Sequence, residues 1–154
     1  MTRTLTASIA AAALLAAGTA SAALKPEALR LALDSLLVAT TKQSVANAIL
    51  NSSTPPERNR DVNMGPPYTL TTEEIQAVFV GHGGVITIKF TGAIGVDNAF
   101  VRFLPRVVKG ADGKPTVQYA CVSPNIAEIA TVYPGCTYDP NAMKLPAAKE
   151  GAGK

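Results

Sequence analysis

Few residues in this chain could carry covalent chemistry, and their types and spacing limit what that chemistry could be. Cys121 and Cys136 are the only cysteines. They stand too far apart for the C-x-x-C arrangement of a redox-active pair, and an even pair reads as a disulfide formed in an oxidising compartment. Closing a loop of roughly 15 residues stabilises the folded chain by about 3 kcal/mol in the chain-entropy account. His82 is the sole histidine, so any His-based triad or metal site would have to use it. It sits in Gly81-His82-Gly83-Gly84, a turn that leaves the imidazole in solvent. That glycine run opens a strand and not a helix, so it lacks the N-terminal dipole that holds phosphate. Asp61 and Asn63 offer two oxygen ligands, well short of the ~6–8 that calcium takes. Arg58 and Arg60 in the same stretch read as solvated loop side chains. Asp34, Glu73, Glu74, Asp97 and Glu128 show no spacing that pairs carboxylates for acid–base work. Neither enzymatic activity, nor a metal, nor a cofactor is expected from this inventory.

The elements that must position these residues follow from local pattern. Four runs are rich in β-branched and aromatic residues and bounded by Gly, Pro, Asn or Asp: Ile75–Val80 and residues 85–91, 99–107 and 116–122. In the second run Ile86, Ile88 and Phe90 share one face while Thr87 and Lys89 take the other, as in a sheet with one side on a core. In the third, Val101 and Phe103 point inward and Arg102 and Arg106 outward. An apolar sheet face needs cover, and the run over residues 24–50 supplies it. Pro26 and Glu27 suit a first helical turn. Leu24, Leu31, Val38 and Val45 recur every seventh position, with Leu29, Leu33, Leu36 and Leu37 widening the stripe. One helix of that length is roughly 40 Å long, more than the sheet needs, so part of the stripe is free to meet a partner. Ser52-Ser53-Thr54-Pro55-Pro56 stops it. Residues 57–72 then form a long irregular loop, a kind that is usually functional or mobile. Thr71 and Glu74 match a capping box, but the strand beginning at Ile75 is the stronger pattern. The fold class is α+β: a long N-terminal helix packed on a four-stranded antiparallel sheet, with a C-terminal disulfide-closed loop.

Composition gives an address. Arg3, the apolar run from Ile9 to Ala17, and Ala20-Ser21-Ala22 have the order of a secretory signal, cut before Ala23. Residues 1–22 are thus a signal peptide, 23–140 a globular domain, and 141–154 a disordered tail too poor in apolar residues to pack. A periplasmic or secreted protein without a stable membrane anchor is expected. The net charge of +3 is dispersed, which does not favour a nucleic-acid partner.

The order of these parts resembles the type IV pilins. Gly84-Val85-Ile86-Thr87-Ile88-Lys89-Phe90 resembles the pilin G-ϕ-I-T-ϕ-x-F strand, and Phe103-Leu104-Pro105 the end of the next. Val117-Gln118-Tyr119-Ala120-Cys121 is similar to V-x-W-x-C with Tyr for Trp, and Tyr133-Pro134-Gly135-Cys136 to the closing Y-x-P-x-x-C. The likeness spans residues 28–136. A type IV prepilin also carries a basic leader, a Gly and a long F-T-L-I-E assembly segment, whereas here Gly18 is followed by Thr-Ala-Ser-Ala. The resemblance implies a soluble exported pilin-like domain that cannot polymerise as a major pilin. Such a domain would bind type IV pilus subunits or assembly proteins through Leu24, Leu31, Val38 and Val45. The competing expectation is an adhesin or DNA-binding module that uses Lys89, Arg102 and Arg106.

Overall fold

The computed structural model describes residues 23–144, in which a bent helical layer covers one face of a five-stranded sheet. β1 (Ile75–Val80), β2 (Ile86–Phe90), β3 (Phe100–Lys109) and β4 (Pro115–Ser123) are successive antiparallel neighbours. Their register sets the core. Val78 pairs with Ile88 and that residue with Val101; Val80 pairs with Ile86, then Phe103, then Cys121. Successive side chains alternate between faces, so both rows point the same way, and every member is buried. A third row, Phe79, Thr87, Arg102 and Val122, falls on the outer face, as the alternation predicts.

The sheet is not the four-stranded antiparallel one expected. A fifth strand, β5 (Cys136–Tyr138), runs parallel beside β4, with Cys121 opposite Cys136 and their Cα atoms 4.4 Å apart. The disulfide therefore joins adjacent strands and holds in place a segment too short to pair durably by itself. β3 and β4 also continue as a two-stranded ribbon beyond the last β2 partner at Phe103. Pro105, which lacks an N–H, falls in that overhang, where one edge has no neighbour.

The single helix expected over residues 24–50 is broken. α1 (Pro26–Leu33) and α2 (Leu36–Asn51) meet at Asp34-Ser35. Ser35 is extended at φ −62° and ψ 152°, and its Oγ accepts the Val38 amide at 3.4 Å, an N-cap that starts α2 afresh. Two long-range bonds pin the bend to α3 (Ile129–Val132) and its flank. Arg30 Nε donates to the Val132 carbonyl at 2.9 Å, and the Tyr133 hydroxyl donates to Asp34 at 2.9 Å. Each helix then buries its own stripe at i, i+3 and i+4 or i+7 spacing: Leu29, Ala32 and Leu33 in α1, and Val38, Thr41 and Val45 in α2. The end at Asn51, ahead of the two prolines, agrees with the sequence pattern.

Order also extends past residue 140, where the tail was expected to begin. Ala142 is fully buried in the turn Ala142–Lys144, and its carbonyl accepts a hydrogen bond from the Arg102 guanidinium. The secretory signal expected over residues 1–22 and the rest of the tail, residues 145–154, lie outside the described residues.

The β1–β2 turn packs tightly against α2. Gly83 and Gly84 both take positive φ, at 71° and 78°. A Cβ on Gly83 would meet nothing within 4 Å, whereas one on Gly84 would lie 2.9 Å from Val45 Cγ1 and 3.0 Å from Ile49 Cδ1. Adjacent substitutions thus separate backbone strain from packing. Gly83→Ala is expected to cost about 1 kcal/mol from the left-handed backbone alone, and Gly84→Ala about 3 kcal/mol once overpacking against α2 is added. Urea unfolding of the two variants measures the difference.

Candidate functional site

The stretch expected as one irregular loop folds back along the free edge of β1 and is built from a few directed hydrogen bonds. The Asp61 carboxylate accepts the backbone amides of Glu57 at 2.9 Å and Arg58 at 3.1 Å, which starts the short turn Asn59–Val62. Those donors, the Glu57 amide first, hold the Asp61 carboxyl below its ordinary value. Asn63 closes the turn in the left-handed conformation at φ 57°, which Asn tolerates better than most residues.

Asn59 is the anchor. Its Nδ2 donates to the Val78 carbonyl at 2.8 Å and to the Gly65 carbonyl at 3.1 Å, and its Oδ1 accepts the Val80 amide at 2.7 Å. A buried side-chain amide thereby occupies the donor and acceptor that a neighbouring strand would otherwise use. Sequence reasoning missed Asn59, because an Asn in a polar loop gives no sign of bonds to residues about twenty positions onward.

With the loop fixed, Arg58, Arg60, Met64, Pro67, Phe79 and Val80 border an open groove of about 400 Å³ with a mostly apolar lining. Phe79 lies on the outer face of β1. Tyr68, 62% exposed, stands edge-on to it with ring centroids 5.5 Å apart and planes at 89°. Arg58 and Arg60, expected as solvated loop residues, are exposed and border this apolar surface.

A second polar cluster fastens α2 to the sheet. The Tyr119 hydroxyl donates to the Lys42 carbonyl at 2.6 Å, and the Lys42 ammonium lies 3.7 Å from the centre of the Phe103 ring. Burial pushes the Tyr119 phenol up to about 12 and lowers Lys42, the latter opposed by the charge of Asp34. This cluster positions α2 on β3 and β4.

The residues singled out from sequence are distributed differently from expectation. Val38 and Val45 are fully buried, so the seven-residue stripe is not a continuous docking face. The bend turns Leu31 outward, 64% exposed, while Leu24 packs half-buried against the core. Lys89 and Arg102 share the outer face of adjacent strands, two residues out of direct register. Arg102 lies on the outer face, half-buried, with its guanidinium donating to the Ala142 carbonyl. Arg106 lies further along, on the overhanging ribbon. His82 Nδ1 is 3.2 Å from the Glu57 carboxylate, with both side chains exposed. Among the described residues no three His, Cys, Asp or Glu side chains are grouped to hold a metal. No family model matches the chain, and no curated protein matches it.

Two measurements test this account. Asn59→Ala leaves the Val78 carbonyl and Val80 amide unpaired and is expected to cost about 3 kcal/mol, with much faster hydrogen exchange at the Val80 amide. Unchanged exchange there would mean that Asn59 does not close the edge. The Tyr119 phenol ionises near 10 in the unfolded chain and near 12 in the folded one. Its contribution is therefore complete below pH of about 10 and is lost as pH rises toward about 12. Urea unfolding over that window is expected to show a shallower alkaline fall for Tyr119→Phe than for the natural chain.

Proposed function

We propose that this chain is an exported, pilin-like protein that binds type IV pilus subunits or assembly proteins and modulates pilus assembly. The observation that carries the reading is the order of elements: helix, four consecutive antiparallel strands, then a loop stapled back onto the last of them by Cys121–Cys136. The disulfide fits an oxidising compartment, in keeping with the signal-like segment at residues 1–22. No helix of the described residues is long and apolar enough to cross a membrane. α2 is committed to the sheet through Val38 and Val45, so a pilus partner would be met elsewhere, at the exposed bend around Leu31 and Leu36 or along the outer side of the sheet. Affinity capture of the tagged chain from its native cells, after mild crosslinking, is expected to recover an identified pilus subunit or assembly protein. Deletion of the chain is expected to change the number of surface filaments. Recovery of no pilus component, together with unchanged filaments, would overturn the reading.

A further inference from the structure

The groove along β1 combines three properties that restrict what it can hold. Its lining is mostly apolar, with Met64, Pro67 and Phe79, and Tyr68 standing beside Phe79. Its volume, about 400 Å³, lies in the range of ~300–1,000 Å³ that accepts sizeable ligand groups. Two cations, Arg58 and Arg60, also line it. Arg58 is exposed and has no ion-pair partner among the described residues. Arg60, its side chain 74% exposed, has only Asp61 at 3.8 Å, and that carboxylate already accepts two backbone amides. The third property is rigidity. Asn59 and Asp61 fasten the turn that carries both arginines to β1 and to its own backbone, so little ordering is left to do on binding.

We propose that this groove is a docking site for an extended, acidic segment of a partner protein that carries an apolar anchor side chain. The anchor enters between Met64, Pro67 and Phe79 and shields them from water. Neighbouring carboxylates pair with the planar guanidinium groups of Arg58 and Arg60, which accept them in a two-pronged geometry. Glu57 and Asp61 flank the two arginines along the chain, so the positive charge is confined to the two guanidinium groups. That suits one or two carboxylates better than a run of phosphates. The proposal concerns the chemistry of the segment and goes beyond the pilus reading, since it holds for any partner with such a segment.

The test is selection of a displayed random-peptide library on the purified, disulfide-bonded chain. Expected are enriched peptides with Asp or Glu within a few positions of a large apolar residue. Synthetic copies should bind the Arg58→Glu/Arg60→Glu variant about tenfold more weakly or worse and lose affinity similarly to Tyr68→Ala. Both arginines are exposed, so the double variant is expected to keep its thermal midpoint; if it does not, Arg58→Glu alone takes its place. The proposal is overturned if nothing is enriched over a tag-only control, or if enriched peptides lack acidic residues. Equal binding to the variant, or tighter binding of a mixed-sequence single-stranded oligonucleotide at the same residues, would also overturn it. None of these outcomes depends on pilus components, so a failure here is distinguishable from a failure of the capture experiment.

Discussion

The side-chain amide of Asn59 meets β1 as a neighbouring strand would, taking the Val78 carbonyl and giving the Val80 amide its acceptor. Much of the molecule follows from that placement, because a five-stranded open sheet has two edges and each needs closing. At the β1 edge a folded loop does so, and the loop in turn builds the groove. At the β4 edge the chain uses β5, three residues held by a disulfide, followed by a turn that buries Ala142 against Arg102. Non-covalent and covalent devices thus complete opposite sides of one sheet.

Between the edges, the apolar face dictates the helical layer. The rows through Val78–Ile88–Val101 and Val80–Ile86–Phe103–Cys121 make one continuous buried face across the strands. Breaking the helix at Asp34-Ser35 lets α2 lie on β4 while α1 packs on α3 and the Gly92–Ile94 turn. The close approach of α2 at Gly84, and the Lys42 ammonium against the Phe103 ring, fix where the second segment sits. Such contacts explain why Lys42 tolerates partial burial: its ammonium rests on an aromatic face while the Tyr119 hydroxyl occupies its carbonyl.

What could be read from sequence was what is local. Strict alternation in Ile86-Thr87-Ile88-Lys89-Phe90 announced both the strand and its buried face, and Val101 with Phe103 behaved likewise. The cysteine pair and the helix stop at the prolines were equally plain. The bend was missed because the seven-residue apolar recurrence runs through it without interruption; the relevant signal was Ser35, a good N-cap residue placed after an Asp. β5 escaped notice because three residues carry no periodicity, and its parallel pairing depends on a tertiary return of the chain. The groove was illegible for a similar reason. Arg58 and Arg60 look like solvated loop charges until Asn59 folds them beside Phe79, a residue from another element.

The bonds that hold the bend have a kinetic consequence. Arg30 and Val132 are 102 positions apart, and Asp34 and Tyr133 are 99 apart. A chain that emerges from its N-terminus can form its helices early, yet the groups that set their angle come near the end. Closing loops of that length is slow relative to local structure, so the helices wait for the sheet. Until residues 129–138 arrive, α1 and α2 lack the Val132 carbonyl and the Tyr133 hydroxyl that fix the bend. Arrival of that last stretch brings the bend partners, β5 and the second cysteine together.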